Sequence, residues 1–162
     1  MKIRLDQNLS FRVARAVIAA LPDREGYVVS HVSDEHPPGT SDPDWLKKFA
    51  DEGGTAIVSG DFSLLRNWVD LVAYTETGLI SFFPPAPFER LNRFGKVAFL
   101  VRWWPAIIEQ IKLSKPGDRW RLPMRWDPSH TDMHLLKDPR VRGRTVEEKK
   151  PSAKVIPLKR AD

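Results

Sequence analysis

Lys2, Ile3, Arg4 and Leu5 alternate polar and apolar and run into Asp6, the pattern of a short strand that delivers an acid at its C-terminal end. Asn8 or Ser10 can then cap a helix in which Val13, Ala16, Val17, Ala20 and Leu21 share one face, with Pro22 and Gly26 punctuating its end. Tyr27 to Val32 and Thr55 to Ser59 predict a second and a third strand, with a short helix between them over residues 44–50. After Asp61, the positions Leu64, Leu65, Trp68, Leu71 and Val72 return at helical spacing, and Gly78 to Phe83 predicts a fourth strand closed by Pro84 and Pro85. Phe88, Leu91, Phe94, Val97, Ala98 and Val101 mark a longer helix that Pro105 either kinks or restarts toward Ile107, Ile108 and Ile111. Arg119 to Leu122 alternates as a fifth strand would. Strands alternating with helices predict an α/β fold with a mainly parallel sheet covered on both faces.

From Pro123 onward the pattern fades into Pro, Lys and Arg. The expected organisation is a folded domain over residues 1–122 and a basic C-terminal extension over residues 123–162, loosely docked or partly disordered, with a small strand at Val155 and Ile156. A chain of 162 residues fits one such domain. Charge sharpens this division. The net charge is +5, yet residues 1–111 carry −2 and residues 112–162 carry +7. The basicity, and with it the expectation of a polyanionic partner, belongs to the C-terminal third. Cysteine is absent, which excludes disulfides, thiolate nucleophiles and cysteine-ligated zinc. The opening residues lack a signal-peptide core and no apolar stretch is long enough to span a bilayer, so a cytoplasmic protein without membrane contact is expected.

In an open parallel sheet the functional crevice lies beyond the carboxyl ends of the strands. Asp6 and Asp61 each stand where an expected strand ends, and a third acid can come from the Gly39 to Trp45 loop at a helix start. Two registers are open there: Asp42 caps with Pro43 at the first helical position, or Ser41 caps and Asp44 closes a capping box, leaving Asp42 free in the first turn; Asp42 is the candidate and Asp44 its substitute. Each acid alone also reads as an ordinary turn or cap residue. Carboxylates brought together repel by about 4 kcal/mol at about 4 Å for an effective dielectric near 20, so a cluster needs a shared proton or a cation. With hard oxygen ligands, Mg2+ or Mn2+ suits best; it would polarise a phosphodiester and lower the pKa of an attacking water.

The segments Lys2 to Ser10, His31 to Asp34, Ser41 to Leu46 and Ala56 to Asp61, taken together, resemble the PIN-like nucleases, and more narrowly the VapC-type toxins of toxin–antitoxin pairs. The resemblance covers roughly the first half of the chain by motif. It implies a three-layer α/β/α fold and an endoribonuclease dependent on Mg2+ or Mn2+, with Asp6, Asp42 and Asp61 as catalytic and metal-holding acids and Asn8, Ser59 and Asp44 as accessory positions. RNA substrate, a cognate antitoxin and a homodimer are the partners it implies. Relatives often carry another acid two residues after the third-strand aspartate, where this chain has Ser63. That departure supports a second reading, a catalytically lapsed module that binds nucleic acid or a protein. A receiver- or phosphatase-like fold also places acids at strand tips, but Asp6-Gln7-Asn8 lacks the second aspartate of the usual phosphatase motif.

Other residues have simpler readings. His130 and His134 are four apart, without the glutamate of the usual metalloprotease motif. His31 reads as a packed or hydrogen-bonded residue, and Asp34 and Glu35 as a solvated loop. Trp103, Trp104, Trp120 and Trp126 interleave with Arg102, Arg119, Arg121 and Arg125; core tryptophans backed by arginines are the simpler reading than base stacking. Strand period puts Arg119 and Arg121 on one face and Trp120 and Leu122 on the other.

Overall fold

The computed structural model describes residues 1–22, 26–37, 39–60, 72, 74–127 and 132–136. Its elements are β1 (Lys2–Leu5), α1 (Phe11–Ala20), β2 (Val28–His31), α2 (Asp42–Asp51), β3 (Ala56–Val58), β4 (Ile80–Phe83), α3 (Arg93–Leu113), β5 (Arg119–Arg121) and β6 (His134–Leu135), with short 3-10 turns at Val32–Asp34 and Ala86–Arg90. The sheet order is β2-β1-β3-β4-β5-β6. Every pairing up to β5 is parallel, and β6 joins β5 antiparallel. The expected α/β fold with a mainly parallel sheet is the observed one.

Strand alternation sorts the core into two layers. Ile3, Leu5, Ala56, Val58, Ile80 and Phe82 face α1 and α3, whereas Ile57 faces α2 through Trp45, Leu46 and Phe49. Fully burying aliphatic side chains of this kind contributes about 1.5–3 kcal/mol each. Arg4, which shares the α2 side of β1, is also buried; it lies 4.1 Å over the Phe49 ring and pairs with Glu35 at 2.6 Å. Glu35 and Asp34 are therefore not simply a solvated loop: Asp34 accepts the His31 N–H at 2.9 Å and pairs with Arg15 at 2.7 Å.

Of the two alternatives at Pro105, no new helix starts there: a single helix runs from Arg93 to Leu113 with Pro105 inside it. The apolar stripe also lies elsewhere than expected. Phe99, Leu100, Trp103, Trp104, Ile107 and Ile111 are buried, Phe88 belongs to the preceding 3-10 turn, and Phe94 is solvent-exposed. Apolar residues surround nearly all of α3, so spacing alone could not choose its inner face. In β5 the alternation holds: Trp120 and Leu122 pack toward α3, while the Arg119 guanidinium reaches Thr75 Oγ1 at 3.0 Å on the opposite side. Trp103 and Trp104 are core residues.

β6 lies past residue 122, where the sequence pattern fades, and the neighbouring Met133 is buried against the main core. The tail over residues 137–162, the strand expected at Val155 and Ile156, His130, and most of the helix expected over residues 64–72 lie outside the described residues. Among the described residues, no helix is long and apolar enough to cross a membrane.

Candidate active site

β1 hands the chain to α1 through a turn built on Asp6. The Asp6 N–H donates to Val58 O at 3.1 Å, extending the β1–β3 ladder by one step, and Asp6 O accepts from Leu9 N at 3.0 Å. Its carboxylate is fully buried and surrounded by donors: Asn8 N–H on Oδ1 at 2.6 Å, and on Oδ2 the Asn8 side-chain amide at 3.2 Å and the Ser59 hydroxyl at 2.5 Å. Asn8 thus spends its side chain on Asp6, and Ser10 becomes the residue preceding α1.

Ser59 follows β3 and is itself fully buried, with its N–H on Phe82 O at 3.0 Å. The next residue is glycine for a steric reason. A Cβ at Gly60 would sit 2.7 Å from Asn8 O and 2.9 Å from a Leu9 methyl, so the tips of β1 and β3 approach closely only without a side chain there.

The third element is the start of α2. Ser41 is the N-cap residue and Asp42 the first helical residue, followed by Pro43. The Ser41 hydroxyl donates to Asp44, while Asp42 Oδ1 accepts the Gln7 side-chain amide and the Trp45 indole N–H, both at 2.9 Å. Ser41 is therefore the N-cap position, but the expected capping box does not form, because the Ser41 side chain bonds Asp44 and no helix N–H; Asp44 is exposed, whereas Asp42 is half-buried. Gln7 and Trp45 escaped the sequence reading. Trp45 carried the clue, since three residues after Asp42 on a helix it shares a face with it.

Electrostatics couples Asp6 to Asp42. Burial of the Asp6 carboxyl pushes its pKa up to about 6; the Ser59 and Asn8 hydrogen bonds pull it down, and the charge of Asp42 raises it further. Asp61, the third candidate, lies outside the described residues, although Gly60 brings the chain against Asn8 immediately before it. Among the described residues, no group of three or more His, Asp or Glu side chains converges.

His31 is a structural neighbour of this turn. Its Nε2 lies 2.9 Å from Leu9 O and its Nδ1 accepts from Ser33 N at 3.2 Å, so the ring carries its proton on Nε2 and holds the β2 tip to the turn. His134 is exposed on β6.

A family model described as a PIN like domain matches residues 1–86. The chain belongs to this family. No curated protein and no solved structure matches the chain. The matched span runs from β1 past β4, and so contains the strand tips, Ser59 and the α2 start described above. PIN-like domains are commonly nucleases, and the buried Asp6, its pKa raised chiefly by burial and further by the charge of Asp42, is the feature of this PIN-like chain that bears on such chemistry.

Proposed function

We propose that the protein is a metal-dependent endoribonuclease, the toxin of a toxin–antitoxin pair, whose site is formed by Asp6, Asp42 and Asp61. The observation that carries this reading is a fully buried Asp6 at the strand tip, held by Ser59 and Asn8, whose pKa is raised to about 6 chiefly by burial and further by the charge of Asp42. Carboxylates and a hydroxyl are hard oxygen donors, the donor class of Mg2+ and Mn2+, and a cation would stabilise the ionised Asp6 that burial disfavours and Asp42 repels. Asp6 and Asp42, with Asp61, would hold it. When bound, such an ion supplies a Lewis acid for a phosphoryl oxygen and lowers the pKa of an attacking water.

The protein groups prepare that site. Ser59 and Asn8 donate three hydrogen bonds to Asp6 and favour its ionised form. Gln7 and Trp45 occupy Oδ1 of Asp42 and fix the plane of its carboxylate. Burial of Asp6 on the strand tip keeps the acid out of bulk water, where its interaction with a cation would be screened. The toxin role rests on the resemblance of the four sequence segments.

The test is RNA cleavage with Mg2+ or Mn2+, and growth arrest on expression, for the wild type and Asp61→Asn. Loss of both in a folded variant supports the reading; unchanged cleavage contradicts the site. The alternative, a lapsed module, is motivated by Ser63, which stands where relatives often carry a further acid, and by the basic C-terminal third. RNA binding by the wild type without metal-dependent cleavage would establish that alternative.

A further inference from the structure

The edge of the sheet that bears Asp6 has a second chemical character on the α1 and α3 side. In a parallel α/β layer, helices start where strands end, and the contacts agree. Met1 and Tyr27, at the opposite edge of β1 and β2, line a groove of about 810 Å³ with Ile108 and Lys112, so the last turns of α3 lie there and its first turns lie at the Asp6 edge. On the first turn of α3, Phe94 is 84% exposed, the largest value among the exposed large hydrophobic residues described. Other rings near this edge are engaged: Phe11, 50% exposed, carries Arg15 at 4.8 Å, and the buried Phe88 carries Lys96 at 5.5 Å. No ring or cation of the described residues stacks on Phe94.

Arginines outnumber acids in the segment around Phe94, where Arg90 and Arg93 stand against one exposed acid, Glu89. Arg90 and Arg93 are exposed, and neither is engaged in an ion pair among the described residues. Arg12 is exposed at the start of α1, which packs against α3. Neither helix has an acid in its first turn. An arginine at a helix start works against the helix dipole, so its placement adds nothing to helix stability. By contrast α2, on the other face, begins with Asp42 and Asp44. The edge is divided into an acidic side and a cationic side that presents a bare aromatic ring.

We propose that Phe94 is a base-stacking platform and that Arg90, Arg93 and Arg12 bind the phosphates of single-stranded RNA led toward the carboxylates. Stacking tolerates any base because every base has a π face, and the cations hold the backbone without reading sequence. The position of this track rests on the proposed site, but RNA binding to it does not require chemistry.

The experiment measures binding of a fluorescent 12-nucleotide oligouridylate to the full chain in EDTA, by anisotropy, with duplex RNA as a control. Phe94→Ala is expected to weaken oligouridylate binding about tenfold and leave duplex binding unchanged, and Phe94→Trp to restore it. Arg93→Gln is expected to weaken both ligands and to flatten the slope of log K against log salt for oligouridylate by about 0.7. Because Phe94 and Arg93 are exposed, these variants fold, which circular dichroism verifies. Equal oligouridylate affinity for wild type and Phe94→Ala overturns the proposal, as does a Phe94→Ala change confined to self-association. Stacking on Phe94 in a protein that does not cleave RNA would refute the nuclease reading and leave the track standing; metal-dependent cleavage with a Phe94→Ala protein of unchanged affinity would do the reverse.

Discussion

The Ser59 hydroxyl donates to Asp6 Oδ2 at 2.5 Å, joining the tips of β3 and β1 through two fully buried side chains. They stand 53 positions apart in the chain. The bond does more than fasten the strands, because it opposes the desolvation that drives the Asp6 pKa up. Ser59→Ala is therefore expected to raise the Asp6 pKa above about 6 and to cost about 1–2 kcal/mol of stability in the ionised state. A carboxyl titration followed by NMR, together with urea unfolding at pH 8, checks both effects.

Asp6 itself sets a pH dependence. Its folded pKa of about 6 lies above the ordinary value of 3.8, so the folded state binds more protons between these values and stability falls as pH rises from about 4 to 6. A shift of this size corresponds to about 3 kcal/mol lost across that window. Asp6→Asn should flatten this profile and gain about 1–3 kcal/mol at pH 7.5 in EDTA, the lower end reflecting its poorer match to the Asn8 and Ser59 donors. Urea unfolding at pH 4, 6 and 7.5 measures it; a pH profile unchanged by the substitution would place the titrating group elsewhere.

Gly60 admits no side chain because of backbone it cannot displace. Gly60→Ala puts a methyl 2.7 Å from Asn8 O, and separating the tips of β1 and β3 is expected to cost about 1–3 kcal/mol. The same displacement pulls Ser59 from Asp6, so metal affinity should fall with stability. Isothermal calorimetry with Mn2+ on protein that remains folded at 10 °C separates the two losses.

Arg4 stacks on Phe49 and pairs with the half-exposed Glu35, holding the turn after β2 beside α2. Arg4→Met retains much of the packing and should cost less stability than Arg4→Ala, which also leaves a cavity against Phe49. Glu35→Gln should cost about 1 kcal/mol, because solvent screens one partner of the pair. Thermal unfolding of the three variants gives the ranking.

Much of this arrangement was legible in the sequence for physical reasons that can be named. The alternation ending in Asp6 and the apolar run ending at Ser59-Gly60 are strand signals followed by a break, and the structure ends strands there. The start of α2 was ambiguous because Ser41, Asp42 and Asp44 can all serve a helix N-terminus; only the three-dimensional partners, Gln7 and Trp45 on Asp42 against Ser41 on Asp44, separate them. β6 is two residues long, too short to leave a period. Phe94 read as one more apolar residue of α3, since apolar residues lie on nearly every side of this helix and its exposure depends on which side turns inward. The charge balance is also redistributed. The C-terminal third holds the net excess, but Arg12, Arg90 and Arg93 place cations at the site edge within the folded body.

The central claim is that Asp6 and Asp42 act on RNA through a divalent cation. Its most direct test is the initial rate of cleavage of an end-labelled single-stranded RNA at pH 7.5 with Mn2+, for the wild type, Asp6→Asn and Asp42→Asn. Cleavage by the wild type that EDTA abolishes is expected, with a loss of at least about a hundredfold in each variant while both remain folded. Cleavage at the wild-type rate by folded Asp6→Asn or Asp42→Asn, or by the wild type in EDTA, would contradict it.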